Sequence, residues 1–134
     1  MPDLENKIRN YFTDKPEIAA VYLFGSRAAG KGHQTSDVDI GILLFPEFLE
    51  SVQTLKEKYL LGLGRCLKKD IHPVIMNHAG EFLLKQILSK GKPVLVKDSK
   101  FEKYFKMISI SRIADFNFHL QKMQSGLAKK ILEG

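Results

Sequence analysis

Phe24-Gly25-Ser26-Arg27-Ala28-Ala29-Gly30-Lys31-Gly32-His33-Gln34-Thr35-Ser36-Asp37-Val38-Asp39 is the stretch whose reading decides the fold. The run that leads into it, Ile18 to Phe24, is compact and apolar, with β-branched Ile18 and Val21 and aromatic Tyr22 and Phe24. Closed by Gly25, it reads as a buried strand. A glycine and a serine directly after a strand suit a phosphate cradle, because glycine lets the backbone approach closely and the N–H groups of the turn point at the anion. Most Gly-Ser pairs are only turns, so the pair needs support from its surroundings.

That support comes from Asp37 and Asp39. Asp37 to Leu44 reads as a second strand, with Val38, Ile40 and Ile42 on one face. Residues i and i+2 of a strand share a face, their Cα atoms roughly 7 Å apart. Aspartate is a poor strand former and like charges on one face repel. A hard divalent cation removes the conflict: Mg²⁺ takes one or two carboxylates and fills its other positions with water and substrate phosphates. Asp-Val-Asp alone equally describes the solvated side of a half-exposed strand. The Gly-Ser turn upstream shifts the balance towards a metal and polyphosphate site.

Outward from this stretch the pattern is α+β. Leu4, Ile8, Tyr11 and Phe12 recur at helical spacing, giving a helix over residues 3–13 that Asp14-Lys15-Pro16 stops. Phe48, Val52, Leu55, Tyr59, Leu63 and Leu67 predict an amphipathic helix of about five turns. Ile71 to Met76 is a third strand. Phe82 to Leu88 is a short helix closed by Gly91, and Pro93 to Val96 is a strand whose proline suits a sheet edge. Phe101, Phe105, Ile108, Phe116, Leu120, Met123, Leu127 and Ile131 trace one apolar stripe through a long C-terminal helical region. Around 30 residues of helix run about 45 Å, longer than so small a domain covers. Part of the stripe is therefore open to a partner or to a homo-oligomer interface.

The 134 residues suit a single domain, with a core at about 18–97 and the C-terminal helical region at about 99–132. No apolar run approaches the roughly 20 residues of a membrane span, and no secretory leader is visible. Cys66 is the only cysteine, which leaves no internal disulfide and fits a reducing, cytoplasmic setting. Beside the apolar stripe of its helix, Cys66 reads as a small core residue. The formal charge of +6 favours anionic partners, but the lysines are scattered and form no run. The aromatics lie on apparent core stripes, which disfavours a nucleic-acid-binding module.

Gly25-Ser26, ten intervening residues and Asp37-Val38-Asp39 resemble the signature of the polymerase-β-type nucleotidyltransferase superfamily. The brevity of the chain is similar to its minimal nucleotidyltransferases, the MNT or MntA-like antitoxin group. The likeness runs from about Val21 to Val96 and includes Arg27, Gly30, Ser36, Ile40, Asn77 and Ile87-Leu88-Ser89-Lys90-Gly91-Lys92. It implies a polymerase-β-like fold, a small mixed sheet packed with helices. It also implies transfer of a nucleoside monophosphate, AMP from ATP, to an acceptor hydroxyl, with Gly25 and Ser26 holding the triphosphate. Asp37 and Asp39 would bind two Mg²⁺ ions, with Mn²⁺ as a substitute. The implied partner is a HEPN-family toxin, which members of the group neutralise, some by adding AMP to a tyrosine.

The resemblance breaks at one position. A third carboxylate is expected five residues before Asn77, where this chain has His72 followed by Pro73. Three readings stand side by side. Asp70, two residues earlier, reaches the metals through a register shift. His72 does the work itself, as a proton acceptor. Or catalysis is weakened and the chain acts by binding nucleotide or partner alone. Arg27 is the best placed cation for triphosphate oxygens, ahead of Lys31 and His33. No Cys/His cluster with zinc spacing exists.

Overall fold

The computed structural model describes residues 2–25 and 37–133. Helix α1 (Pro2–Phe12) leads to strand β1 (Ile18–Phe24), followed by β2 (Val38–Leu44). A 3₁₀ segment, Pro46–Ser51, precedes α2 (Val52–Leu67), which leads to β3 (Ile71–Ile75) and a short 3₁₀ turn, Met76–His78. Helix α3 (Glu81–Lys90), strand β4 (Lys92–Val96) and helix α4 (Ser99–Glu133) complete the chain.

The strands form one mixed sheet in the order β3-β2-β1-β4. β1 runs antiparallel to both β2 and β4, whereas β2 and β3 are parallel and joined through α2. Every residue of β1 is buried, which explains its continuous apolar run: helices cover both faces of the sheet. On one face Leu4, Ile8 and Phe12 of α1 and Tyr59, Leu63 and Leu67 of α2 pack on Val21, Val38, Ile40 and Ile42. On the other, Leu84 and Ile87 of α3, with Phe101 and Phe105 of α4, pack on Ala20, Tyr22, Leu43 and Val74. β4 lies at an edge, as its proline predicts.

Asn77 replaces missing backbone at the end of the ladder. Its Oδ1 accepts from the Leu44 N–H and its Nδ2 donates to the Leu44 carbonyl, both at 2.9 Å. Buried Tyr59 donates to Glu17 at 2.5 Å, and Tyr22 donates to Glu102 of α4, which also pairs with Lys106. These bonds satisfy carboxylates that burial would otherwise penalise.

Three sequence expectations need correction. The helix expected from Phe48 begins at Val52, because Pro46 opens a 3₁₀ segment first. Cys66 is exposed: the buried stripe of α2 steps by four through Tyr59, Leu63 and Leu67, and position 66 is rotated about 100° from Leu67. The stripe on α4 also differs. Ile108 and Met123 face solvent, Met123 at 72% exposure, while polar Glu102 and Ser109 point inward with half-buried Phe105 and Ile113. The side chains of Leu127 and Ile131 lie outside the described residues.

Candidate active site

β1 ends at Gly25, whose φ of +76° belongs to the left-handed region that glycine adopts without strain. The antiparallel register sets Phe24 opposite Asp39, so the Gly25 backbone passes directly over the Asp39 carboxylate. A Cβ on residue 25 would stand 2.3 Å from Oδ2 of Asp39 and 3.1 Å from its Cγ. Only glycine fits there, and the turn and the acid form one structural unit.

The parallel register of β2 and β3 sets His72 opposite Asp39. Nδ1 of His72 lies 3.0 Å from Oδ1 of Asp39. With a carboxylate as acceptor, the proton of that bond sits on Nδ1. The His72 side chain is 66% exposed and that of Asp39 28%, so the pair opens to solvent on its outer side. Val38 and Ile40, which flank Asp39, are fully buried on the opposite face.

Asp37 is exposed and stands immediately before β2 rather than within it. Its side chain is therefore not bound by the alternation that fixes Asp39. The next residue, Val38, donates its N–H to the Asp70 carbonyl at 2.9 Å, which draws the start of β2 to the loop before β3. Asp70 is likewise exposed and outside its strand. Both acids border a cleft of about 920 Å³, together with Leu60, Leu61, Arg65 and Lys68. Among the described residues, no group of three or more His, Cys, Asp and Glu lies close enough to hold a metal ion. Ser26 and Arg27, with Lys31 and His33, lie outside the described residues.

Arg65 and Lys68 are the residues that sequence reasoning missed. Lys68 ends α2 in the left-handed conformation, φ 54°, a position usually filled by glycine. Arg65 lies in the last turn of α2 and Lys68 directly follows it, ahead of Asp70, and the parallel pairing of β2 with β3 sets both on the cleft that Asp37 borders.

Comparisons with known proteins agree with this fold. Residues 6–100 match the family described as Polymerase beta, Nucleotidyltransferase. A protein adenylyltransferase, MntA, of Shewanella oneidensis is 33% identical over 89 residues, 66% of this chain and 62% of that protein. The match thus spans less than two thirds of that relative's length. Among solved structures, a chain from a toxin–antitoxin crystal structure with AMP-PNP superposes with a TM-score of 0.69 at 23% identity, covering 96% of this chain and 98% of that one. A chain from the tri-AMPylated Shewanella oneidensis HEPN toxin in complex with MNT antitoxin gives 0.67 at 22% identity, covering 98% of each. At such identities these likenesses speak for the fold. No described helix is long and apolar enough to cross a membrane.

Proposed function

The chain belongs to the polymerase β nucleotidyltransferase family, and from that premise we propose that it transfers AMP from ATP to a hydroxyl group on a HEPN-family toxin, acting as the antitoxin. The observation that carries this reading is the close approach of the Gly25 turn to the Asp39 carboxylate. It supports a polyphosphate turn set directly against a cation ligand. The relative that is a protein adenylyltransferase supports AMP and a protein acceptor.

In the reaction, the acceptor oxygen forms a bond to the α-phosphorus of ATP and the α–β phosphoanhydride bond breaks. Pyrophosphate leaves with the electron pair, and the hydroxyl proton passes to solvent at this open face. The Gly25 turn, with Ser26 and Arg27, is assigned to the triphosphate. Asp37 and Asp39 are assigned to a divalent cation, Mg²⁺ or Mn²⁺, with Asp70 beside Asp37 on the lining of the neighbouring cleft. Two carboxylates and open positions for phosphate and water suit such an ion. When bound, it neutralises and orients the phosphate oxygens. The cleft beside Asp37, with Arg65 and Lys68 on its wall, gives an anionic group room to approach.

One observation favours a second reading. His72 stands where the family places a carboxylate, and it already engages one oxygen of Asp39. On that reading the chain neutralises its toxin by contact, without transfer. Incubation with radiolabelled ATP, Mg²⁺ and the toxin separates the two. Labelled toxin with the wild type and none with Asp39→Asn supports transfer. Stable co-purification without label supports contact alone.

A further inference from the structure

The spacing between Nδ1 of His72 and Oδ1 of Asp39 is one that two neighbouring ligands of a single metal ion share, a small turn of the imidazole ring directing Nδ1 to the ion. An octahedral ion with bonds of about 2.1 Å places neighbouring ligands about 3.0 Å apart. Nδ1 of His72 and Oδ1 of Asp39 are 3.0 Å apart. Three further features fix this spacing and leave it open. The parallel ladder pairs the two residues directly. Pro73 restricts the backbone of His72 to the extended region. The exposure of His72 leaves the outer coordination positions free for water and phosphate oxygens.

We infer that Asp39 and His72 form a two-point chelate in which Nδ1 replaces its proton by a first-row transition-metal ion such as Mn²⁺, so that the site prefers that ion to Mg²⁺. Imidazole nitrogen suits transition metals, whereas Mg²⁺ takes oxygen ligands and dehydrates reluctantly. With the metal on Nδ1, Nε2 carries the ring proton, and His72 serves as a ligand rather than as a base. The inference rests on the reading of Asp39 as a cation ligand.

Pulsed electron paramagnetic resonance on the full chain with Mn²⁺ alone tests it without nucleotide or toxin. A directly bonded nitrogen coupling is expected in the wild type and should vanish in His72→Asp and in His72→Asn. In competition titrations, Mg²⁺ should need about a tenfold larger excess to displace Mn²⁺ from the wild type than from His72→Asp. Mn²⁺ bound with no nitrogen coupling, or with equal competition in both proteins, overturns the role of His72 and leaves Asp39 as an oxygen ligand. Failure of the wild type to bind Mn²⁺ at all overturns both assignments. Because neither readout uses AMP transfer, an inactive but metal-binding chain still supports the chelate.

Discussion

Gly25 and Asp39 are fitted to each other: a methyl group on Gly25 would stand 2.3 Å from the nearer carboxylate oxygen. The contact joins the end of β1 to the first rungs of the β2 ladder and ties the turn proposed for phosphate to the acid.

Gly25→Ala therefore carries two penalties, a side chain at positive φ and a collision with Asp39. The backbone term costs about 1 kcal/mol or more. Displacement of the carboxylate by about 1 Å lowers catalysis on the order of 10²-fold. Denaturant unfolding and AMP-transfer rates measured together check this. The rate should fall far more than the fraction folded, and an unchanged rate would remove Gly25 from the site.

Asn77→Ala should destabilise the end of β2 without touching the chemistry. It removes both hydrogen bonds to Leu44 and leaves that partly buried backbone unsatisfied, at about 1–3 kcal/mol. Urea unfolding should show the loss, with the ratio of transfer rate to folded protein unchanged.

Ser109→Ala should do the opposite of an ordinary core truncation. The Ser109 hydroxyl is buried without a hydrogen-bond partner on the inward face of α4. Its removal relieves that group and improves helix propensity, so stability should stay level or rise by up to about 1 kcal/mol. A loss above that range in thermal melts would mean that the hydroxyl has a partner.

Two shifts predict how stability responds to pH. The hydrogen bond from Lys92, at 2.8 Å, holds the Glu5 carboxyl below its ordinary value of 4.5. Its folded pKa is depressed, so its contribution is present above that value and is lost as pH falls through the folded pKa. Lys92→Met should lower the melting temperature at neutral pH and converge with the wild type in acid. At the other end, burial first, and then the bonds to Glu102 and Glu17, push the Tyr22 and Tyr59 phenols well above 10.0. Raised folded pKa values give stability that is complete below pH 10 and drains away above it. Ultraviolet titration should show these phenols ionising only as the chain unfolds.

Much of the fold was readable because burial and periodicity agree. β1 is apolar throughout since both faces are covered, and the Pro93 strand lies at the edge. The α4 stripe misled because hydropathy cannot reveal that Glu102 and Ser109 point inward, where Tyr22 from elsewhere in the fold and Lys106 along the helix satisfy Glu102. At the site, Gly25 and Asp39 were legible from spacing, and His72 from its departure from the expected carboxylate. The position of Asp37 before rather than within β2 was not, since strand boundaries depend on pairing that a single sequence does not display. Nor were Arg65 and Lys68, which reach Asp37 only through the crossover of α2 between parallel strands.

The most direct test is the intact mass of the toxin after incubation with this chain, ATP and a divalent cation. The wild type should add one or more AMP units to the toxin, and Asp39→Asn, folded to the same extent, should add none. An unmodified toxin with the active-site residues intact, or equal modification by the Asp39→Asn chain, would contradict the assignment of nucleotidyl transfer to this site.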